Sequence, residues 1–571
     1  GRIPGTASGP TARIVGIVFG SLLFLMFTPT KWTHHFGVFA GLGAALAAIT
    51  AIAVGHQSMH SRRNRTIFAA LTLFIAGMAF TAPNSYFYSS AWGMPWGTEQ
   101  VTFGFRIASV LLAAALALLA LALYFHLREP FTGTDPHADE FVDDSSDDSV
   151  PANRARRLGS ALVSEPLVFI VAAVVLFQVA TAIMAGVRQS NSYSVPRSNL
   201  EALAGIECGM AEKIWTETDP SRFQLSPVDR SLSPGQALAG PPAPPRTDPA
   251  AAPTDGFTPN GVPTGMVTNA AQGSLGVLAD TANADPGVLA ANSGGTSGGY
   301  RAVPGINGSH ARLPFFLDPA RTPVLGSYSE DAQTPARLRS AWYALPAGFR
   351  QNPLITFSAA GWFERPDLVL EYSTTRVDAQ TRDGALGVAG SIPLIDPGPR
   401  PSWRNVRLNT DALPADTTAI RIVARDDNLA ADRYIVVTPP RLPQLQTLQQ
   451  VVGKSDPVQV DWTSGLVFPC QRPFGHRYGV AEIPDWRIRP GADLAAAVST
   501  WQSASGGGPL GWLEVSQEPE TVATYLKGDI GRDWGALERY HPFAPNSIAP
   551  AELITGTRVR SGLWRPTPIW H

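Results

Sequence analysis

The chain has 571 residues, and its 44 Lys and Arg against 46 Asp and Glu give a formal net charge of −2, which excludes the basic excess expected of a nucleic-acid-binding protein. Charged residues make up only 16% of the chain, against about 25% in an ordinary soluble domain. Apolar runs are concentrated before residue 187, and proline- and glycine-rich segments after it. The two parts therefore predict two different environments.

Five apolar runs occupy the first third of the chain. A helix needs about 20 apolar residues to cross a bilayer. The second, fourth and fifth runs reach that length, whereas the first and third are shorter and could alone be buried helices of a soluble core. We predict a membrane region over 1–186 with transmembrane helices at 14–28, 36–55, 67–82, 101–125 and 161–186.

The loops between these runs differ in charge, because those on one side carry nine arginines and those on the other carry a single lysine. Cytoplasmic loops are enriched in Lys and Arg, so the arginine-rich side is predicted to be cytoplasmic. This predicts a multi-pass plasma-membrane protein with a cytoplasmic N-terminus and an extracellular or periplasmic C-terminal region. The arginine-rich loops are 1–13, 56–66 and 126–160, and the opposite loops are 29–35 and 83–100.

The chain opens without Met on a loop-like segment and leads directly into an apolar run. We expect it to be the C-terminal part of a longer membrane protein.

The region after residue 187 changes to short segments of alternating polarity, bounded by Pro, Gly, Asn or Asp. Short strands with frequent turns predict an all-β or mixed sandwich or jelly roll. Residues 233–299 are rich in Pro, Gly, Ala, Thr and Asn, and predict a flexible linker. The predicted strands are Leu354–Phe357, Leu368–Tyr372, Ile420–Val423 and Tyr434–Val437.

The two cysteines, Cys208 and Cys470, both lie in this outer region, where disulfides persist. If they are bonded, residues 187–220 and 444–571 form one outer subdomain, and 221–443 is a domain inserted into it. The alternative is a pair of unrelated thiols.

The outer region contains eleven of the 14 tryptophans. Indole rings stack on the apolar faces of sugars, while Asp, Asn and Arg bind the hydroxyls, so a Trp-rich β-sandwich is a candidate carbohydrate binder. The alternative for any one Trp is a core position, because Trp is usually largely buried. Trp462 is the candidate we favour, since it lies in the polar, glycine-containing segment 461–465.

The first outward loop brings together Lys31, Trp32, His34 and His35. A lysine beside two histidines suits a phosphate at the membrane surface, because the lysine supplies charge and histidine can donate or relay a proton. The alternative is an interfacial anchor, since Trp and Lys are common at that depth.

A second polar cluster, Asp426, Asp427 and Asp432, follows a predicted strand. Its carboxylates suit a structural Ca²⁺ or the hydroxyls of a sugar, and the alternative is a polar turn. The sequence shows no glycine-rich phosphate loop, zinc-ligand spacing or G-x-S-x-G elbow, which argues against a soluble nucleotide enzyme or a serine hydrolase.

Several long segments are similar to one known family, the mycobacterial Emb arabinofuranosyltransferases, the targets of ethambutol. The resemblance covers essentially the whole chain and indicates the C-terminal half of such an enzyme, with the EmbA-type member as the expected subgroup. The segments are LMFTPTKWTHHFG (25–37), AVPGING (302–308), LDPARTPVLGS (317–327), WTSGLVFPC (462–470) and RDWGALERY (532–540).

The resemblance implies a GT-C membrane glycosyltransferase that moves arabinofuranose from decaprenyl-phosphoryl-arabinose onto the arabinan of arabinogalactan or lipoarabinomannan. The family's proposed catalytic Asp lies in the N-terminal half, outside this chain. The resemblance also implies Ca²⁺ in the carbohydrate-binding modules, a second Emb subunit as partner, and an acyl carrier protein on the cytoplasmic side. The loop with Arg62, Arg63 and Arg65 is a candidate site for that acidic partner.

The resemblance implies individual roles as well. His34, with Trp32 and His35 beside it, resembles residues that line the donor and ethambutol pocket. Trp462 resembles an arabinan-binding Trp, Trp342 and Asp426 resemble sugar-contacting positions, and Cys208 and Cys470 resemble the family's disulfide pair.

The leading hypothesis is therefore a GT-C type helical membrane region of about five spans, followed by an extracellular jelly-roll carbohydrate-binding domain, as part of an arabinosyltransferase. In it, Lys31, His34 and His35 hold the donor phosphate, and Trp462 stacks on an acceptor sugar. The alternative is a non-catalytic glycan-binding membrane subunit of a transferase complex.

Overall fold

The chain divides into two compact units in the computed structural model, Gly1–Ser190 and Asn191–His571. The structure describes residues 7–27, 40–57, 61–79, 101–102, 105–128, six helical positions between 172 and 187, and 190. In the second unit it describes 191–241, 254–263, 296–490 and 516–544, with short gaps at 297, 300–302, 399, 432, 462–463, 478–479, 532–533 and 543, together with 554 and 556.

The first unit is helical where it is described. Four of the predicted apolar runs lie within or overlap its helices, because continuous apolar sequence without internal proline favours helix. The fifth run, 161–186, lies mostly outside the described residues. The helices are α1 (Ser8–Leu25), α2 (Ala40–Gln57), α3 (Arg62–Ala79) and α4 (Ile107–Arg128), and a small hairpin of β1 (Val101–Thr102) and β2 (Phe105–Arg106) precedes α4.

Among the described residues, one helix, α4, is both long and apolar enough to cross a membrane, with 22 residues and a mean hydropathy of 2.5. Apolar stretches of α1 and α2 are shorter, at Gly9–Leu25 and Ala40–Thr50. Helix α3 opens with charged residues, including Arg62 and Arg63, at its N-terminal end. The total of about five spans therefore stays a prediction.

Helices α3 and α4 pack together through small side chains. Ala108, Ala115 and Ala122, spaced seven residues apart on α4, are buried, as is Ala70 on α3. Gly77 lies so close to α4 that a Cβ at that position would be 3.0 Å from Leu112. Small residues at such spacing let two helix backbones approach closely, as in helix pairs within membranes.

The second unit is built mainly from β-strands, and its central part is an antiparallel sandwich. One sheet has the strand order β10-β7-β12-β4, and the other β5-β11-β8-β9, with β6 also paired to β11. The four strands predicted from the sequence are confirmed. The strands are β4 (Leu325–Gly326), β5 (Ala336–Arg339), β6 (Tyr343–Ala344), β7 (Leu354–Gly361), β8 (Leu368–Ser373), β9 (Gly390–Pro393), β10 (Arg404–Asn409), β11 (Ala419–Asp426) and β12 (Ile435–Val437).

A six-stranded sheet forms the next layer, in the order β13-β3-β18-β19-β17-β14. Only the β14–β17 pair is parallel among its described pairings. Strand β3 comes from before the sandwich in sequence, and the other five strands come from after it. The strands are β3 (Ile214–Glu217), β13 (Gln446–Thr447), β14 (Val458–Val460), β17 (Trp486–Pro490), β18 (Gln517–Leu526) and β19 (Gly535–Pro542), and a separate hairpin pairs β15 (His476–Arg477) with β16 (Val480–Ala481).

The disulfide predicted as one of two alternatives is confirmed. Cys208 and Cys470 are bonded, with their Cα atoms 5.0 Å apart. The bond joins the segment before β3 to the segment after β14. The finer boundaries at 220/221 and 443/444 stay predictions.

Strand β7 is buried along all eight residues, because both of its faces are covered. Ile355 and Phe357 contribute to the core between the two sandwich sheets. Leu354 and Ala360 belong instead to a second core that includes Tyr525 of β18. The polar residues Thr356 and Ser358, which alternate with Ile355 and Phe357, are therefore buried and not solvated.

The linker predicted at 233–299 contains ordered pieces at Pro234–Ala239, at 254–263 and at Thr296, which forms a bridge with Trp403. Helix α6 (Pro234–Ala239) begins at Ser233, whose hydroxyl accepts from the backbone of Gln236 while the Gln236 side chain accepts from Ser233, forming a capping box. Residues 254–263 add bridges to the sandwich, and Phe257 enters its core. The rest of 242–295 lies outside the described residues. The remaining helices are α5 (Val195–Leu203) and α7 (Leu448–Val452).

Candidate functional site

A cleft of about 400 Å³ opens where β7 and β11 end, at one end of the sandwich. Its volume is within the range of small-ligand sites. We call it the outer cleft. It is lined by Trp362, Phe363, Glu364, Asp367, Asp426, Asp427, Asn428, Leu429 and Arg433.

The segment that carries Trp362 begins at Gly361, where the backbone conformation requires a glycine. Gly361 ends β7 with φ of 99°, and a Cβ there would lie 1.8 Å from the carbonyl oxygen of Tyr434. A short 3₁₀ helix, Arg365–Asp367, follows. The carboxylate of Asp367 accepts a hydrogen bond of 2.7 Å from the backbone N–H of Glu364. These local bonds fix the segment that presents Trp362.

Trp362 is half-buried and lies beside a cation. The guanidinium carbon of Arg433 is 4.9 Å from the centroid of its ring, and Arg433 also lies 3.8 Å from the carboxylate of Glu364. Attraction between the guanidinium and the ring face holds the indole in one orientation. The outer cleft therefore offers a positioned aromatic side chain with a charged neighbour.

Asp426 also lines the outer cleft, and it is buried at the end of β11. Burial raises the pKa of its carboxyl, although the Ser327 hydroxyl, which donates a hydrogen bond of 2.6 Å to it, acts in the other direction. Its exposed neighbour Asp427 forms an ion pair with Arg425. The two adjacent carboxylates thus differ, one being buried and hydrogen-bonded and the other exposed and ion-paired.

A buried ion pair supports the aromatic wall from behind. Burial alone would raise the pKa of Asp396, but hydrogen bonds and charge from Arg404 lower it to about 2. The Arg404 Nη2–Asp396 Oδ2 distance is 2.8 Å, and the Arg404 guanidinium lies 4.5 Å from the centroid of the Phe363 ring. The carboxylate stays ionised at neutral pH, so the arginine under Phe363 stays in place.

These groups suit binding of a polar ligand that has an apolar face. Trp362 supplies aromatic surface, with the buried Phe363 beside it, while Asp426, Asn428 and Arg433 supply hydrogen-bonding groups at the same cleft. Sugars combine ring C–H faces with hydroxyls, which matches this pairing of aromatic and polar groups.

Most residues of the predicted donor and acceptor sites lie outside the described residues. This applies to Lys31, Trp32, His34 and His35, and to Trp462. Directly before Trp462, Asp461 is buried, and its Oδ2 atom lies 3.1 Å from Arg487 Nη2. The donor and acceptor roles of these residues stay predictions.

Trp342 is described, and it is fully buried. Its ring is covered by the guanidinium of Arg421, 4.2 Å from the centroid, and its backbone N–H donates to Asp383 at 2.5 Å. For this residue the structure favours the core alternative over a sugar contact. Trp403 and Trp534 are buried as well.

The calcium site stays a prediction. Asp426 and Asp427 line the outer cleft, but Asp432 is outside the described part, and no group of three or more His, Cys, Asp or Glu side chains there could hold a metal. Calcium takes six to eight oxygen ligands. A buried carboxyl with a raised pKa and an ion-paired neighbour do not make up such a site, so we assign no step to the metal.

Trp362 is the site residue that the sequence does not single out among the outer tryptophans. One signal marks it, since it follows a strand in the turn-forming context Gly361–Pro366 rather than inside an alternating segment. Asp426, by contrast, is both predicted from the sequence and located in the outer cleft.

Comparison with known proteins covers the whole chain. Residues 179–570 match the family model described as EmbC C-terminal domain, and residues 1–128 match the model described as mycobacterial cell wall arabinan synthesis protein. Probable arabinosyltransferase C of Mycolicibacterium smegmatis is 43% identical over 569 residues, covering 100% of this chain and 49% of the relative. Probable arabinosyltransferase C of Mycobacterium tuberculosis is 44% identical, with 100% and 49% covered.

Probable arabinosyltransferase A of Mycobacterium tuberculosis is 38% identical, with 100% of this chain and 50% of the relative covered. The lower identity does not favour the EmbA-type subgroup over the C type. The cryo-EM structure of arabinosyltransferase EmbB from Mycobacterium smegmatis has a TM-score of 0.72 and 34% identity, covering 96% of this chain and 50% of that one. The chain spans about half the length of the curated relatives it matches. By its match to the EmbC C-terminal domain over most of its length, the chain belongs to the Emb arabinosyltransferase family.

Proposed function

We propose that the chain is the C-terminal part of a membrane arabinofuranosyltransferase, which transfers arabinose from decaprenyl-phosphoryl-arabinose to cell-wall arabinan. Two observations support this, namely family membership and the arabinosyltransferase names of relatives that align over the whole chain. The proposed catalytic Asp belongs to the N-terminal half of such an enzyme, and this chain contributes substrate binding.

The proposal includes a GT-C type helical region of about five spans in the plasma membrane, and an extracellular jelly-roll carbohydrate-binding domain. The length and hydropathy of α4 and the small-residue packing of α3 on α4 support a membrane location for the first unit. The antiparallel sandwich supports the second. In this topology Lys31, Trp32, His34 and His35 face the outer side, where they hold the donor phosphate.

The outer cleft is the proposed arabinan-binding site of the described region, and its pairing of Trp362 with Asp426 is the observation that carries this assignment. Trp362 stacks on a sugar ring while Asp426 and Asn428 bind hydroxyls. Trp462 provides a second stacking position for the acceptor.

The proposed partners are membrane lipid, a second Emb subunit and an acyl carrier protein. The cytoplasmic arginines Arg62, Arg63 and Arg65 supply the positive charge for the acidic carrier protein. They cluster in the first turn of α3, where Arg63 Nη1 lies 3.1 Å from His126 Nδ1 of α4.

The outer cleft is tested by titrating an arabinan oligosaccharide into the full chain in nanodiscs, with calorimetry as the readout. Trp362→Ala should weaken binding at least tenfold, and Trp362→Phe should restore part of it because phenyl also stacks. Glu330→Ala, an exposed change outside the cleft, is the control. Unchanged affinity in Trp362→Ala would reject the assignment.

A cell-free transfer assay separates the transferase from the glycan-binding subunit. The transferase proposal expects arabinose transfer when the chain is combined with the N-terminal half, and loss of transfer in His34→Ala through weaker donor binding. The alternative, a non-catalytic glycan-binding membrane subunit, expects arabinan binding without transfer in that combination.

A further inference from the structure

The second unit carries an apolar stripe on its first helix, α5, and on the residues that follow it. Leu200, Leu203 and Ile206 are 68%, 87% and 49% exposed. The small residues between and beside them, including Ala202 and Ala204, are exposed too. Single exposed apolar residues are ordinary on a protein surface, but three large ones within seven residues form a continuous patch.

The other side of α5 is bound to its own unit by charge. Glu201 accepts from Arg197 at 2.8 Å and from Lys213 at 3.0 Å, and Lys213 lies just before β3. On a helix, residues 197 and 201 share one side, 203 lies on the opposite side, and 200 lies between the two. The helix is thus amphipathic, with Glu201 held on the unit through Lys213 and with Leu203 exposed on the opposite side.

In sequence, α5 follows a helical segment that has an apolar exposed face. The described positions Leu176, Val179, Ile183 and Val187 are helical and at least half exposed, at spacings of three and four residues that keep them on one helix side. Five residues then lead from Ser190 to Val195, a reach of at most about 17 Å.

The linker between the two helices is anchored rather than slack. Ser192, Tyr193 and Ser194 in it are buried. Asn191 packs so tightly on Gly528 that a Cβ at Gly528 would lie 1.8 Å from the Asn191 carbonyl oxygen. The start of α5 is therefore fixed to its own unit, a few residues after the apolar helix in sequence.

We propose that α5 lies in the plane of the membrane–water interface, on the outer side of the plasma membrane, with Leu200, Leu203 and Ile206 inserted among the lipid chains. An amphipathic helix at such a depth buries its apolar side at the boundary of headgroups and acyl chains. Lipid is the occupant because the patch follows an apolar helix within a few residues. The contact orients the β-rich unit on the bilayer, and it is independent of glycan binding.

The experiment places a nitroxide spin label at Leu203→Cys in the full chain, reconstituted in nanodiscs of phosphatidylcholine and phosphatidylglycerol. The two native cysteines are bonded to each other, so the label reacts at one site. Power saturation compares collisions with oxygen, which concentrates in lipid, and with a water-soluble nickel chelate. The matched control is Val388→Cys, an apolar position 46% exposed in the loop before β9.

Greater accessibility to oxygen than to nickel at 203, with the reverse at 388, is the expected result. Greater accessibility to nickel at 203 overturns the proposal, because the helix is then in water. Protection from both reagents also overturns it, because a protein surface then covers the patch.

A second set of samples tests the apolar stripe itself. With the label at Ile206→Cys, adding Leu200→Asp and Leu203→Asp should abolish the oxygen preference, because charged side chains leave the acyl region. An unchanged label spectrum at 388 in the same background shows that the unit is still folded. Oxygen preference that survives both substitutions contradicts insertion through this stripe.

Discussion

The strongest stability prediction concerns the ion pair between Glu217 and Arg441, which joins the six-stranded sheet to the sandwich. Both side chains are fully buried. Arg441 donates to both carboxylate oxygens of Glu217, at 2.8 and 3.1 Å, and also to Asn405 at 2.9 Å. The Tyr525 hydroxyl donates to Glu217 at 2.9 Å. The carboxylate is therefore the shared acceptor of one cation and one hydroxyl.

Glu217→Gln preserves the shape of the side chain but leaves Arg441 as a buried charge without a counterion. Burial lowers the pKa of Arg441, but the charges and hydrogen bonds of Glu217 and Tyr525 together outweigh it and raise the pKa overall. Breaking a buried pair by removing one partner costs about 3–5 kcal/mol. We expect the free energy of unfolding to fall by that amount. Combining it with Arg441→Met should recover part of the loss, because the unbalanced charge is gone.

The assay is urea unfolding of the full chain in nanodiscs, followed by tryptophan fluorescence, since Trp403 and Trp534 are buried in the same unit. Glu482→Gln is the matched control. Glu482 also pairs with an arginine through two bonds, Arg472, but both side chains are 39% exposed, so we expect a loss below about 1 kcal/mol. Equal losses in the two variants would refute the reasoning that burial decides the cost.

Three further outcomes are expected from other contacts of the same unit. Cys208→Ala should lower the free energy of unfolding by about 2–5 kcal/mol in the urea assay, because the bond closes a long loop, and reductant should leave this variant unchanged while destabilising the parent. Asp396 has its pKa lowered to about 2 by Arg404 despite burial, against about 3.9 when unfolded, so its stabilising contribution is full above pH 4 and is lost as the pH falls through 2. Asp396→Asn should therefore flatten the acid side of a plot of melting temperature against pH, and an unchanged plot would count against the pair. Asp426→Asn should keep or raise the melting temperature at pH 7, because burial raises the pKa of that carboxyl and ionising it is unfavourable, while arabinan affinity measured by calorimetry should fall.

Local features of the sequence predict much of the fold. Continuous apolar runs place α1 to α4, and alternation bounded by turn residues places β7, β8, β11 and β12. Two cysteines in an outer region leave one intramolecular bond, which the structure contains. Each of these predictions depends on residues that are near in sequence, or on a pairing with one possible solution.

The candidate site is harder to predict because it depends on distant packing. Trp342 and Trp362 are the same residue type, twenty positions apart, yet Arg421 and the sandwich cover the first, and the second lines a cleft. The segments that decide this difference come from strands remote in sequence. The burial of both faces of β7 could not be predicted from the sequence either. The residues that cover its second face come from β18, more than 150 residues later.

The arrangement of the six-stranded sheet constrains the order in which the β-rich unit is completed. Strand β3 pairs with β13 and β18, so its hydrogen-bonding partners are not synthesised until residues 446–447 and 517–526. The disulfide spans 262 residues of sequence, and such distant pairings make folding slow. During synthesis, β3 therefore stays unpaired until these later strands are made. In this interval a chaperone or a thiol oxidoreductase would have most effect on the yield of folded protein.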